Sequence, residues 1–379
     1  MIYVQHLLGV GHLQRSLQLA AELVQHNFAV ELITGGRPQA LAVAKGVRIR
    51  QLPPVYSPDG SFTRLLDASG DEVDTDWRNE RKQQLLDIFA AYAPQVLITE
   101  TFPFGRRMMR FELLPLLEAA RASSNCIQVI ASIRDILQPK SKKERNQETC
   151  GLIEKYYDHV LVHGDQKIAG LADSFIDAAR IDHKIFYSGY ICAAASVLPP
   201  GSDGNDEVLV SAGGSATGLE ILKTAITAKP LSSLNDLRWR ILVSPAIDES
   251  RFDELKRRAG DGIIIERNRP DFSALVRRAR LSISQAGYNT ITDILSSTTP
   301  AVVIPYAETD EVEQTMRAQI LQRRNRLVML QQDDLSAATL ASSVDQAIRR
   351  YRPLTANLAG ATNSAAMISR WLGEATVKQ

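Results

Sequence analysis

At 379 residues the chain is too long for one ordinary domain and suits two domains of roughly 150–200 residues each. Its 45% hydrophobic and 23% charged content is that of a globular protein, and a formal net charge of +1 gives no whole-molecule attraction for nucleic acid or anionic lipid. Cys126, Cys150 and Cys192 are scattered without CxxC spacing, which argues against a disulfide framework or a zinc site and suits a reducing cytoplasm.

Met1-Ile2-Tyr3-Val4 enters a strand at once, without the basic and apolar regions of a signal peptide, and no run has the length of a membrane span. Any membrane contact is therefore expected to be peripheral. Short apolar runs then alternate with longer amphipathic stretches, the rhythm of βαβ units and of a parallel sheet covered on both faces. Strands are expected at 2–8, 29–34, 96–99, 127–131 and 159–163, with a helix at 13–26, together forming an N-terminal domain over 1–190. Turn formers such as Pro199-Pro200-Gly201-Ser202-Asp203-Gly204 mark a linker at 191–206. A second series has strands at 207–211, 239–243, 262–266, 281–284 and 301–305 and a helix at 218–228, giving a C-terminal domain over 207–358. A last helix at 359–379 is expected to pack back toward the N-terminal domain.

Each series opens on a glycine loop. In Leu8-Gly9-Val10-Gly11-His12-Leu13-Gln14-Arg15, glycines stand where the first strand hands over to the first helix, letting the backbone approach a ligand and placing His12 at the helix start. In Ser211-Ala212-Gly213-Gly214-Ser215-Ala216-Thr217-Gly218 the same arrangement, with added hydroxyls, suits a diphosphate. Neither loop carries the full dinucleotide fingerprint or the GKS/GKT of a P-loop, which argues against a nicotinamide enzyme and an ATPase.

The stretch Ser284-Gln285-Ala286-Gly287-Tyr288-Asn289-Thr290, the strand Pro300-Ala301-Val302-Val303-Ile304-Pro305 and the loop Glu308-Thr309-Asp310-Glu311-Val312-Glu313-Gln314 follow one another in a distinctive order. This order resembles the donor half of glycosyltransferase family 28, the MurG-type N-acetylglucosaminyltransferases, and the opening G-x-G-H-x-x-R resembles that family's first loop. The wording Gln-Ala-Gly-Tyr-Asn-Thr and the segment 102–117 look closer to a predicted bacterial glycosyltransferase branch. The resemblance implies an α/β chain of GT-B fold, two Rossmann-like doubly wound parallel-sheet domains facing across a cleft. It also implies transfer of a hexosyl or N-acetylhexosaminyl group from a nucleotide sugar, expected to be UDP-linked, to an acceptor hydroxyl. The nucleotide sugar is a co-substrate, and no cofactor is implied.

Carried over by position, Gly213, Gly214 and Ser215 would hold the diphosphate, while Gln285, Ala286, Gly287 and Thr290 would line phosphate and sugar. Glu308, Glu313 and Gln314 fall on the sugar- and ribose-contacting loop, since a carboxylate accepts ribose hydroxyls and an amide both donates and accepts. The base-reading loop falls on Arg267, Asn268 and Phe272, matched in position but not in residue type. No Asp-x-Asp stands at a strand end, Asp74-Thr75-Asp76 lying in a polar loop or helix start, so a metal-independent, inverting displacement is expected.

His12 is the candidate general base, with Glu100 to orient it or to act itself, and Asp135 and His163 as alternatives at strand ends. Gly9, Gly11, Arg15, Phe104, Arg106, Arg134, Asp135 and His163 form the expected acceptor side. The run 102–111, mixing Phe, Met and Arg, either receives an amphiphilic or lipid-linked acceptor at the inner face of the membrane or is a half-buried helix. A nucleotide-sugar hydrolase of the pseudaminic-acid-pathway type and a nucleotide-sugar 2-epimerase share this architecture, and the acceptor-side segment 56–87 favours transfer over both.

Overall fold

A computed structural model describes residues 1–7, 10–39, 41–58, 64–139, 143–192, 203–212, 218–306 and 312–377, without the side chains of 375–377. Gly9, Gly213, Gly214, Ser215 and Glu308, and residues 193–202 of the expected linker, lie outside the described residues. The chain divides into two compact units, Met1–Ile191 with Ala359–Gln379, and Cys192–Leu358.

In the first unit the order is β1 (Ile2–Val4), α1 (Gly11–Gln25), β2 (Val30–Thr34), β3 (Val47–Gln51), α2 (Thr75–Tyr92), β4 (Val96–Glu100), α3 (Arg110–Ala122), β5 (Gln128–Arg134), α4 (Lys143–Tyr156), β6 (His159–His163) and β7 (Ile185–Tyr187). Its strands make one parallel sheet in the order β3-β2-β1-β4-β5-β6-β7. Alternate side chains of a strand point to opposite faces, and the apolar runs divide accordingly. Tyr3, Leu97, Val129 and Ala131 face a core built with Leu85 and Phe89 of α2, Leu113 and Leu117 of α3 and Ile153 of α4. Ile2, Val4, Leu32, Ile98 and Ile130 face the other side, against Leu13, Leu17, Ala20 and Leu23 of α1. That second core is completed from far along the chain by helix α11 (Gly360–Val377), through Ala365, Ile368 and Trp371. Trp371 stacks on His159 at 3.7 Å between ring centroids and meets Phe186 edge-on.

The second unit runs β8 (Val208–Ser211), α5 (Leu219–Ala228), β9 (Trp239–Val243), α6 (Glu249–Arg258), β10 (Ile263–Arg267), α7 (Phe272–Arg278), β11 (Leu281–Ser284), α8 (Tyr288–Leu295), β12 (Ala301–Val303), α9 (Glu313–Arg323), β13 (Val328–Met329) and α10 (Ala337–Arg350). Its parallel sheet has the order β10-β9-β8-β11-β12-β13. Val208, Val210, Ile241 and Ile283 bury against α5, α6 and α10, while Leu209 and Leu242 bury against Leu275 and Val276 of α7. Both sheets are doubly wound, with the strand order reversing direction beside β1 and beside β8.

Three strands lie where none was expected. In β3, Val47-Arg48-Ile49-Arg50-Gln51 is an edge strand whose arginines are exposed, so it lacks the apolar run that marks a buried parallel strand. β7 and β13 are only 3 and 2 residues long. β1 ends at Val4 and not at residue 8, because Gln5 and His6 leave the ladder while remaining buried. If α11 is integral to the first unit, Trp371→Ala should cost about 3–5 kcal/mol in urea unfolding, as for other large aromatic deletions from a core. A loss below about 1 kcal/mol would show that the helix is only loosely attached.

Candidate active site

In a doubly wound sheet the crevice beyond the carboxyl ends of the strands, at the point where the order reverses, is where ligands bind. In the first unit that point lies between β1 and β4. The chain leaving β1 starts α1 at Gly11, and β4 ends on Glu100, so the topology sets the first turn of α1 against the end of β4.

His12 Nδ1 lies 2.7 Å from Glu100 Oε1, and Arg15, one turn further along α1, also pairs with that oxygen. The Thr101 hydroxyl donates to the same oxygen at 2.7 Å. Thr101 holds φ at 65°, a left-handed conformation unfavourable for a β-branched residue and of order 1–3 kcal/mol in cost. The backbone N–H of Thr101 is anchored on Ser132 O of β5 at 2.8 Å, which keeps it there. His12 does not cap its helix: the cap position is Val10, and no side chain bonds the helix start.

The electrostatics fix the protonation states. Burial would raise the Glu100 carboxyl, but His12 and Arg15 outweigh it and hold the group well below the usual carboxylate range. Burial lowers the His12 imidazole to about 3, with Arg106 and Arg134 acting in the same direction and only Glu100 opposing. His12 is therefore neutral at pH 7. Because its Nδ1 faces a carboxylate, Nδ1 carries the proton and donates, and Nε2 is left as the nitrogen that can accept one.

The other acceptor-side residues fall into different places. Arg106, with φ at 58°, donates from Nε to Gln5 O at 2.7 Å and shares the electrostatic field of Glu100 and Arg134. Gly11 opens α1. Asp135 is fully buried, accepting from Ile136 N at 2.8 Å and from the Tyr190 hydroxyl at 3.3 Å. His163 is no candidate base: Ser132 Oγ bonds its Nε2 at 2.8 Å and Ser188 Oγ its Nδ1 at 3.0 Å, and burial lowers it to about 3. Phe104 does not face an acceptor. It is buried edge-on against Phe175, and with Phe102 and Met109 also in the core, those apolar members of 102–111 present no surface. Asp74 of the Asp-x-Asp spelling is the N-cap of α2, accepting from Trp77 N at 2.8 Å.

Sequence reasoning missed Gln5, His6, Gly35 and Gly36. His6 is buried with its Nε2 at 2.9 Å from Arg37 O, and its ring lies so close to Gly36 that an added Cβ there would sit 2.4 Å from Cε1. The Gly35-Gly36 pair at the end of β2 was the available signal.

In the second unit the reversal point lies between β8 and β11. Gln285 follows β11 and is buried, its Nε2 3.2 Å from where a Cβ on Gly218 would stand, and Gly218 itself requires φ of 99°. Gln285 thus borders Gly218, the N-cap of α5. Gly287 is the N-cap of α8, with open space at its Cβ position, and Thr290 lies in the first turn of that helix. Gln314 Oε1 accepts from Ala286 N and Tyr306 N, each at 3.1 Å, tying the exits of β11 and β12 together. Glu313 is buried and paired with Arg317 at 3.2 Å, so its carboxylate points to that guanidinium. These residues gather at one place. Arg267 is the last residue of β10, three strands from β11 in the sheet, and Asn268 follows it, whereas Phe272 opens α7, whose Ser273 bonds Asp293 of α8. Arg267 is spent on Ser244 O, Ile247 O and Glu249 and lies over the Phe252 ring.

Residues 208–369 match the glycosyltransferase family 28 C-terminal domain. The C-terminal part of the chain is thus similar to glycosyltransferase family 28. A UDP-N-acetylglucosamine–N-acetylmuramyl-(pentapeptide) pyrophosphoryl-undecaprenol N-acetylglucosamine transferase of Paramagnetospirillum magneticum is 28% identical over 49% of this chain and 54% of its own length. The enzyme of that name from Nostoc punctiforme is 34% identical over 20% of this chain and 21% of its own. The chain thus spans about half, or less, of the curated relatives it matches. Among solved structures, the calicheamicin glycosyltransferase CalG4 has a TM-score of 0.66 at 15% identity over 98% of both chains. MurG of Acinetobacter baumannii has 0.60 at 13% over 97% of this chain and 99% of its own. At such identities these likenesses establish the fold, which is GT-B.

Folded His12 and His163 stay neutral down to about 3, whereas in the unfolded chain such groups protonate near 6.5, so between those values the unfolded state binds more protons. Their stabilisation is complete above pH 6.5 and is lost as pH falls, each adding a slope of up to about 1.4 kcal/mol per pH unit. Glu100 extends the loss below its ordinary value of 4.5. Urea unfolding across acid pH should show this fall, and His163→Gln should reduce its slope. An unchanged slope in the variant would refute the assigned neutrality of His163.

Proposed function

We propose that this chain is an inverting, metal-independent glycosyltransferase that moves a hexosyl or N-acetylhexosaminyl group from a uridine diphosphate sugar to an acceptor hydroxyl. The observation that carries the reading is the His12–Glu100 pair at the reversal point of the first sheet, 2.7 Å apart, with His12 Nε2 left to accept a proton. The acceptor hydroxyl gives its proton to Nε2 while its oxygen forms the bond to the anomeric carbon. The bond from that carbon to the diphosphate oxygen breaks on the opposite side, and UDP leaves. Glu100 stabilises the imidazolium that forms, and Gln285, Gly287, Thr290 and Gln314 are the described residues proposed to hold the donor. The match of 208–369 to the family 28 C-terminal domain supports a nucleotide-sugar donor. UDP is favoured because curated relatives are named for UDP-N-acetylglucosamine. Their pyrophosphoryl-undecaprenol acceptor favours a lipid-linked or amphiphilic acceptor here, met at the inner membrane face by a peripheral protein; no helix among the described residues is long and apolar enough to cross a membrane.

Removing a general base costs typically 10²–10⁴-fold in rate. His12→Ala and His12→Gln should each lower transfer in that range while UDP affinity stays within about twofold. Retention of turnover within a few-fold of the parent would move the base elsewhere, with Glu100→Gln the next variant to assay.

Donor and metal are tested separately. Thermal unfolding should rise with UDP and not with thymidine or guanosine diphosphate, and transfer should survive EDTA. Stabilisation by thymidine diphosphate alone, the nucleotide bound in one spinosyn rhamnosyltransferase structure of this fold, would overturn the base assignment. Activity lost to EDTA and restored by manganese would overturn the metal-free mechanism.

A further inference from the structure

Behind the exit of β1 lies a charged network that the displacement just described does not use. Arg81 of α2 and Glu112 of α3 are both fully buried, and so are Tyr3 and Gln5. All five N–H groups of the Arg81 guanidinium donate: to Glu112 at 2.7 and 3.0 Å, to Gln5 Oε1 at 2.7 Å, to Gly35 O at 3.2 Å and to Pro53 O. The Tyr3 hydroxyl donates to Glu112 as well. The Gln5 amide is occupied in turn, its Nε2 donating to Val55 O at 3.0 Å and to His6 O at 3.1 Å. The packing leaves no slack, since a Cβ on Gly35 would stand 2.1 Å from both Arg81 Nη2 and Gln5 Oε1.

A buried ion pair is often no more stabilising than apolar residues of the same volume, but it constrains geometry, because either partner is costly to leave unpaired. The geometry constrained here is that of the crevice. Gln5, Gly35 and Pro53 stand just past the ends of β1, β2 and β3, so one guanidinium ties three neighbouring strand exits. The Gln5 carbonyl is then the acceptor for Arg106 Nε at 2.7 Å, and Arg106 holds φ at 58°, a conformation that persists only where its surroundings impose it. Arg106 in turn acts on His12 and on Glu100. A chain of contacts thus runs from Arg81 through the Gln5 side chain to the main-chain oxygen that holds Arg106.

We propose that Arg81 is a positioning residue for the reaction, holding Gln5 so that its carbonyl keeps the Arg106 guanidinium where it acts on the His12–Glu100 pair. The inference rests on the reading of His12 as the base. With every N–H of Arg81 already bonded within the network, its effect on the pair passes through Arg106. Burial, Arg106 and Arg134 lower the His12 imidazole, and Glu100 raises it. An Arg106 released from the Gln5 carbonyl weakens the depressing field, and His12 gains proton affinity.

The test uses the full chain with isotope-labelled histidine, the ring resonances being assigned with histidine-to-glutamine variants, and follows His12 by NMR from pH 7.5 down to the onset of unfolding. Arg81→Lys keeps a charge beside Glu112 but loses the fork that also reaches Gln5. Arg106→Gln removes the guanidinium at the end of the chain of contacts. Both should move the onset of His12 protonation upward, Arg106→Gln by about one pH unit and Arg81→Lys by about half of that or more. In the double variant the onset should match Arg106→Gln alone, because one path carries both effects. Gln5→Met breaks the same path at its middle with little change of volume; it should repeat the Arg81→Lys shift, and it decides the question if Arg81→Lys does not fold. An onset unmoved in any folded single variant overturns the proposal, as does a further rise in the double variant. Loss of fold in both Arg81→Lys and Gln5→Met assigns the network to stability alone and overturns it too. The titration is read in the resting protein, so an absent coupling overturns this inference and spares the base, whereas turnover retained by His12→Gln removes the base and leaves the coupling as measured.

Discussion

One buried carboxylate organises the first unit. Glu100 is 1% exposed at the end of a central strand, and a lone carboxylate there would be driven to take up a proton. It stays charged because α1 supplies both partners, His12 and Arg15, three residues apart and so on one face of the helix. That requirement fixes the rotation of α1, and the apolar face carrying Leu13, Leu17, Ala20 and Leu23 must then fall on the sheet. The left-handed turn at Thr101 follows from the same need, since it brings a hydroxyl back onto Glu100 Oε1.

The second unit repeats the topology with different chemistry. At its reversal point stand Gln285, Gly287 and Thr290, neutral donors and acceptors beside small residues, with Gln314 bridging two strand exits. Glu313, the carboxylate there among the described residues, pairs within its own helix with Arg317. The proposed division of labour follows: a charged crevice can change a proton's position, whereas an uncharged one lined by amides and hydroxyls can hold a diphosphate and a sugar without repelling them. In that proposal one strand-order pattern would serve two tasks through the different residues at its strand exits.

What the sequence made legible was what is local. The strands at 159–163, 239–243 and 281–284 lie on the residues expected, because buried parallel strands are unbroken apolar runs. β3 was hidden by its alternating arginines, and β7 and β13 by their brevity. His12 was legible because a strand, a glycine loop and a helix are contiguous. Its partner on β4 was visible only as one strand-end acid among several. The role of His163 could not be read, since the hydroxyls that occupy both its nitrogens come from Ser132 and Ser188, 31 and 25 residues away. His6 was lost inside an assumed strand, and Phe104 was taken for surface because an aromatic beside arginines looks the same in sequence whether it turns inward or outward.

A base held neutral by burial and two arginines pairs availability with weakness, since a pKa lowered to about 3 gives the acceptor's proton little reason to move. Arg106 and Arg134 are the two charges that depress the imidazole alongside burial, and Glu100 is the one that supports it. The basicity of the proposed base is thus set by a balance of three side chains of the first unit, and a change at any one of them moves it: losing a guanidinium raises the imidazole, and losing the carboxylate lowers it further.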